Sequence, residues 1–249
     1  MRPTGKLHLG HLVGALHQWA ALQEKYDCMY FVADWHALTS EYADTGELTS
    51  YTYDNVADWI AAGIDPEQST LFVQSLVPEH AELYLLMSMV VPIPWLERVP
   101  TYKEQIAQMA EKDLSTLGFL GYPLLQGADV VIYKAQYVPV GEDQVAHLEL
   151  NREVIRRFHG FYGELFPEPQ PLLSNFPRLP GLDNRKMSKS YNNTIPLFEP
   201  SKKLRKLIMK MKTNSLEPGE PKDPDDCTLF DIYKAFAAES DTAAFRQKL

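Results

Sequence analysis

The sequence predicts an open α/β fold, a doubly wound parallel sheet with helices on both faces, followed by a smaller helical part. Three observations predict it. Short apolar runs at 29–33, 71–73 and 137–140 read as buried strands, and helix-like segments are interleaved with them. Strands alternating with helices imply parallel pairing, because parallel neighbours need a long crossover, usually a helix. Beyond residue 191 the strand-like runs stop and the pattern turns helical and more polar. The division expected from this is an α/β part over 1–190 and a helical part over 191–249.

In chain order, Leu12, Leu16 and Trp19 share one helical face within 12–26, ahead of the strand MYFVA. A helix over 49–62 closes before Gly63 and Pro66. LFV (71–73) is the second strand and EHAELYLLMSMVV (79–91) a helix. Within GYPLLQGADVVIY (121–133), Pro123 suits the first turn of a largely buried helix. YVPV (137–140) is the third strand, and EDQVAHLELNREVIRRF (142–158) a long helix opened by acids in its first turn. EPGEPKDPDD (217–226) reads as a loop and the final AFRQKL as mid-helix. A loop feeding a helix at residue 11 normally leaves a strand, so the natural protein is expected to begin earlier, with its C-terminal part incomplete too.

Composition narrows the function classes. Hydrophobic residues make up 45% and charged residues 23%, ordinary for a soluble protein with a core. No apolar run approaches the ~18 residues of a membrane helix, so no membrane partner is expected. The chain runs from Met1 straight into MRPTGKLHLGH, without a signal-peptide pattern. Cys28 and Cys227 have no paired spacing, and two isolated thiols fit a reducing cytoplasm. A net charge of −9 argues against coating nucleic acid through bulk electrostatics. Positive charge is concentrated in SKKLRKLIMKMK (201–212), which reads either as a solvated face or as a contact to an RNA backbone.

Two segments suit phosphate chemistry. Pro3-Thr4-Gly5-Lys6-Leu7-His8-Leu9-Gly10-His11 lies at a loop-to-helix junction, where free N–H groups and the dipole favour an anion. Gly5 and Gly10 permit tight turns and close backbone approach to a ligand, and His8 and His11 can donate to a phosphate whose charge grows. The bland alternative is a helix cap with two surface histidines. No third ligand makes the pair a metal site, so no protein-held metal is expected. Lys186-Met187-Ser188-Lys189-Ser190 lies in a loop after Pro180 and Gly181, and its two ammonium groups suit a clamp over a triphosphate. Alone, such a loop is a basic loop and nothing more.

A third segment suits an aromatic ligand. Tyr122, Gln126, Asp129 and Tyr133 fall on one face of the 121–133 helix, with apolar residues in the other directions. A polar stripe on a buried helix needs partners, either structural or a ligand, because an unpaired buried carboxylate costs several kcal/mol. Asp34 and His36 follow a strand's C-terminal end, where open α/β sheets bind ligands, although His36 also reads as a buried structural histidine. In VPVGEDQVAHLEL (138–150), Gly141 lets the backbone approach a ribose whose hydroxyls Glu142 and Asp143 can accept; helix N-capping would also explain the two acids.

HLGH early and KMSKS late in an alternating α/β chain resemble the two motifs that define class I aminoacyl-tRNA synthetases. YPLLQ-x-x-D is similar to the pocket helix shared by the tyrosyl and tryptophanyl families, and VPVGEDQ resembles the tryptophanyl version residue for residue. The resemblance runs from about residue 2 to 190, weaker through 225–236. It implies a Rossmann-like catalytic domain that activates L-tryptophan with ATP and transfers it to tRNA(Trp). His8, His11, Lys186 and Lys189 would be catalytic. ATP would meet Arg2, Pro3, Thr4, Gly10, His11, Gly141, Glu142, Asp143, Leu179 and the loop residues Lys186, Met187, Ser188, Lys189 and Ser190. Arg2 departs from the amide of some relatives. Tryptophan would meet Asp129, Gln126, Tyr122, Asp34, His36 and Gln144, with Asp129 accepting from the indole N–H. Magnesium carried by the nucleotide, a cytoplasmic location and a homodimer bridged by tRNA are further implications. A tyrosyl enzyme, a small nucleotidylyltransferase and a synthetase-like RNA-binding paralogue without catalysis remain the alternatives.

Overall fold

Two parallel strand pairs form in the computed structural model, which describes residues 1–100, 102, 103, 106, 112–173, 179–211, 220, 221 and 223–248. β1 (Cys28–Val32) pairs with β2 (Ser69–Val73), Val32 opposite Val73. Met1 brackets the end of β1: its ammonium donates to the Phe31 carbonyl at 2.6 Å and its carbonyl accepts the Ala33 N–H at 2.8 Å. β3 (Tyr137–Val140) pairs with β4 (Gln170–Leu173), Val138 opposite Pro171. The parallel α/β pattern expected from the sequence is present. β4 was not predicted, because PEPQPLL carries prolines that mask a strand, and proline is tolerated where its missing N–H leaves no ladder bond unmade.

The helices are α1 (Leu9–His11), continued by a π turn (Leu12–Leu16) into α2 (His17–Leu22), then α3 (Asp34–Glu41), α4 (Leu48–Ala61), α5 (Glu79–Ser88) and α6 (Ile93–Glu97). They are followed by α7 (Leu117–Val131), α8 (Val145–Tyr162), α9 (Ser201–Ile208), α10 (Thr228–Lys234) and α11 (Glu239–Arg246). The helix read through the last residues closes at Arg246. The 217–226 loop falls partly outside the described residues, as does Lys212 of the basic run.

Contacts divide the chain into two compact units: Met1–Gly5, Leu22–Ala57 and Asp65–Ser174 form the first, and Lys6–Ala21, Asp58–Ile64 and Asn175–Leu249 the second. In the first, α7 packs on α5 and α8 around Met87, Leu124, Val131, Val154 and Ile155. A β-carbon on Gly127 of α7 would lie 2.9 Å from Asn151 Oδ1 on α8, so only glycine fits without displacing that side chain. Pro123 does not open α7 as expected. The helix starts six residues earlier, where Thr116 Oγ1 accepts the Phe119 N–H at 3.2 Å and so caps it. Pro123 therefore sits inside the helix, where its missing N–H costs one backbone bond. In the second unit, Val13, Leu179, Met187, Ile195 and Ile232 make one buried cluster, and Trp19 meets Trp59 edge-on at 5.5 Å.

Candidate active site

The two phosphate motifs meet within the second unit. His8 caps α1, its Nδ1 accepting the Gly10 N–H at 3.2 Å, while His11 Nδ1 accepts the His8 N–H at 3.2 Å. The rings lie 3.8 Å apart. Burial, then the Lys189 ammonium, pushes the His8 imidazole down to about 4. Burial, then His8 and Lys189, pushes His11 down to about 2. Both rings are thus neutral at pH 7. With each Nδ1 engaged as an acceptor, each ring carries its proton on Nε2, leaving two N–H donors. The π turn that follows is a feature common at functional sites.

Facing them is the lysine-bearing loop. Pro180 and Lys186 form an antiparallel bridge, and the Met187 N–H donates to the Leu179 carbonyl at 2.9 Å. Met187 and Leu179 are buried with Val13, and a β-carbon on Gly10 would come within 3.8 Å of Met187 Sδ. Hydrophobic burial of Met187 therefore fixes the loop beside Gly10. Lys186 is exposed, Ser188 precedes a 3-10 turn opened by Lys189, and the Ser190 side chain lies outside the described residues.

The amino-acid stripe assembles within the first unit. Asp129, 3% exposed, accepts from Gln74 Nε2 at 2.8 Å and His80 Nδ1 at 2.6 Å on Oδ1, and from His36 Nε2 at 2.7 Å on Oδ2. Burial alone would raise this carboxyl, but the bonds from His36 and His80 outweigh it and hold it below the usual carboxylate range. A carboxylate offers about four acceptor positions, so among the described residues the second position on Oδ2 is left. The far side of His80, Nε2, lies 2.8 Å from the Tyr133 hydroxyl. Further along the stripe, His147 Nδ1 meets Gln126 Oε1 at 2.8 Å and Nε2 meets the Tyr122 hydroxyl at 3.3 Å. The stripe thus carries two polar networks.

The remaining expected residues are placed less tightly. Asp34 opens α3 and its Oδ1 accepts the Ser75 N–H at 3.0 Å, a structural bond. Arg2 is open to solvent yet crowded by protein on its other sides; that desolvation lowers its pKa, opposed by Tyr122 and Glu41. Its carbonyl accepts the Thr4 N–H at 3.0 Å, and Pro3 is buried. Gly141 is the N-cap of a 3-10 turn over Glu142–Gln144, so neither acid is the cap; α8 starts only at Val145, not at the acids as expected. Glu142 is exposed, Gln144 precedes α8, and the Asp143 side chain lies outside the described residues. Sequence reasoning missed Gln74, His80, His147 and Asn193 as site residues. Gln74 and His80 lie in an ordinary-looking QSLVPEH stretch, and only the chain path brings them to Asp129.

Comparison with known proteins places this geometry. Residues 1–246 match the family of tRNA synthetases class I (W and Y). The chain is 56% identical over 239 residues to the tryptophan–tRNA ligase of Thermotoga maritima, covering 95% of this chain and 73% of that one. It is 42% identical to the tryptophan–tRNA ligase of Ralstonia nicotianae, over 100% of this chain and 80% of that one. Its fold is similar to the crystal structure of tryptophanyl-tRNA synthetase from Campylobacter jejuni complexed with ADP and tryptophan, with a TM-score of 0.91, 35% identity, and coverage of 99% of this chain and 76% of that one.

Proposed function

The chain belongs to the class I tRNA synthetases of the tryptophan and tyrosine group, and from that premise we propose that it is a tryptophan–tRNA ligase of Rossmann-like fold. It activates L-tryptophan with ATP and passes the tryptophanyl group to tRNA(Trp). The observation that carries the substrate reading is the buried, ionised Asp129 with one acceptor position left on Oδ2. An aromatic N–H fills that position; phenylalanine leaves it empty, which costs ~10⁴–10⁵ in specificity. Tyrosine could also donate there, and the likeness to tryptophan ligases over nearly the whole chain favours tryptophan.

The tryptophan carboxylate attacks the α-phosphorus of ATP, pyrophosphate leaves, and the ribose hydroxyl of the tRNA terminus then displaces AMP from the adenylate. No covalent enzyme intermediate is required. His8 and His11 donate through Nε2–H to phosphate oxygens without carrying charge, and Lys189 and Lys186 supply the positive charge that follows the leaving pyrophosphate. Gly10, Leu179 and Met187, which pack together, and Ser188 and Ser190 of the same loop are proposed as ATP contacts. Arg2, Pro3 and Thr4 on one segment, and Gly141, Glu142 and Asp143 on another, complete the ATP contacts. Magnesium, carried by the nucleotide, would supply further neutralisation of phosphate charge beside that of the lysines. Asp34, His36, Tyr122, Gln126 and Gln144 complete the tryptophan pocket.

The protein is proposed to act in the cytoplasm as a homodimer. No described helix is long and apolar enough to cross a membrane. Leu85 and Leu86 near the end of α5, Met89 just after it and Ile93 at the start of α6 are 55%, 64%, 71% and 61% exposed, apolar surface suited to a second copy. Incubation with labelled tryptophan, ATP and tRNA tests the proposal. Acid-precipitable tryptophanyl-tRNA is expected, and adenylate formation without any transfer would refute the ligase reading.

A further inference from the structure

Asn193 is 2% exposed, and its side-chain amide reaches three points of the lysine-bearing loop. Oδ1 accepts the Ser188 N–H at 2.8 Å, while Nδ2 donates to Asp183 Oδ1 at 2.6 Å and to the Lys186 carbonyl at 3.1 Å. Its own carbonyl accepts the Leu182 N–H at 2.9 Å. The left-handed conformation of Asn192, φ 49° and ψ 34°, turns the chain after the Lys189–Tyr191 turn so that residue 193 meets the loop again. A β-carbon on Gly181 would lie 2.3 Å from Asn193 Cγ, so the loop's first glycine is what admits this side chain.

Two residues further on, the same strand-like segment holds the other motif. The Leu9 N–H donates to the Ile195 carbonyl and the Leu197 N–H to the Leu7 carbonyl, both at 2.9 Å, with His8 opposite Pro196. One short segment, 193–197, thus grips the histidine motif at one end and the lysine loop at the other.

We propose that Asn193 is a positioning residue for the activation step: its amide fixes the loop so that Lys186 and Lys189 are set at a defined place relative to His8 and His11. The inference rests on the phosphate-handling role proposed for this loop. Both hydrogens and one lone pair of the amide are used, so neither aspartate nor serine can replace it. Aspartate has the same shape, but it loses the donor to the Lys186 carbonyl and sets a second carboxylate against Asp183. The bond from Asn193, with those from Arg185, outweighs desolvation and holds Asp183 down at about 2, so that facing carboxylate is ionised at pH 7.

The test is tryptophan-dependent ATP–pyrophosphate exchange on Asn193→Asp, Asn193→Ser, Asp183→Asn, the double variant Asn193→Asp with Asp183→Asn, and Lys189→Ala, with active sites counted by the adenylate burst. Asn193→Asp is expected to lower kcat per active site by about 10²-fold, the cost of an ångström-scale misplacement, with KM for tryptophan unchanged. The double variant is expected to recover about tenfold, because the new amide at position 183 again donates to the new carboxylate at 193. If Asn193→Asp does not fold, Asn193→Ser carries the test, with a loss of about tenfold or more expected. A kcat per active site within threefold of the parent in whichever of these folds, beside a Lys189→Ala variant that collapses, overturns the inference alone. Undiminished exchange by Lys189→Ala instead removes the loop's proposed role, and the inference with it.

Discussion

Asp129→Asn separates the acceptor reading of the pocket from a purely structural one. The substitution keeps shape and removes charge. In the native site three donors, from Gln74, His80 and His36, converge on the two carboxylate oxygens. An asparagine presents one acceptor oxygen and one NH2, so whichever way it turns, at least one of the three native donors either faces an NH2 or, if it is a histidine, must give up its present tautomer. Each orphaned donor costs about 1–3 kcal/mol, and the surviving bonds lose their charge assistance, roughly half their strength. A stability loss of about 3 kcal/mol is therefore expected in urea unfolding at pH 7. The functional effect is larger for selectivity than for folding. The Oδ2 position left for the indole N–H is replaced either by a weaker neutral oxygen or by an NH2 that repels it. The kcat/KM for tryptophan in pyrophosphate exchange is expected to fall by about 10²-fold, while phenylalanine, which makes no such bond, is nearly unaffected. The tryptophan-to-phenylalanine ratio thus narrows by about the same factor. A destabilised variant with an unchanged ratio would refute the acceptor role and leave Asp129 as a structural carboxylate.

The other predictions concern the second unit. Lys189→Ala is expected to slow adenylate formation by about 10²–10³-fold while tryptophan affinity, from fluorescence titration, stays within about twofold; equal losses in both would count against a transition-state role. His8 and His11 titrate near 4 and 2 in the fold against 6.5 unfolded, so the unfolded chain binds more protons below pH 6.5. Stability is then fully present above pH 6.5 and is lost as pH falls towards the folded values, by about 1.4 kcal/mol per pH unit for each ring. Urea unfolding between pH 7 and 5 measures this, and His8→Asn should flatten the slope; an unaltered slope would show that the ring is not held neutral. On α9, Lys202, Arg205 and Lys206 are exposed, whereas Lys203 is tied to Glu199 at 2.8 Å. Replacing the three by Ala is expected to raise KM for tRNA about tenfold and reduce its salt dependence by about two to three contacts, leaving exchange intact. An unchanged KM would make α9 a solvated face.

What was legible in the sequence was local. HLGH and KMSKS each carry their chemistry within five residues, and the strands β1 to β3 are short apolar runs set between helix-like segments. The stripe Tyr122, Gln126, Asp129 and Tyr133 follows from helical spacing alone, and all four side chains do enter polar networks. The misses are long-range or disguised. His80 lies 49 residues from Asp129 and Gln74 lies 55, so no local pattern announces them. The start of α7 is hidden by the glycines of TLGFLG, and the helix survives an internal proline because residues 121–125 around it are all buried. Asn193 depends on a left-handed residue and a bare glycine meeting in space, which spacing does not reveal. The acids of VGEDQ read naturally as helix caps, yet the 3-10 turn moves them ahead of the helix they were expected to open.

Amino-acid-dependent ATP–pyrophosphate exchange, run separately with tryptophan, tyrosine and phenylalanine, decides whether the pocket around Asp129 selects tryptophan. Exchange is expected with tryptophan, with at least about 10³-fold weaker exchange with tyrosine and none above background with phenylalanine. Exchange driven by tyrosine, or tryptophan exchange that phenylalanine matches, would contradict it.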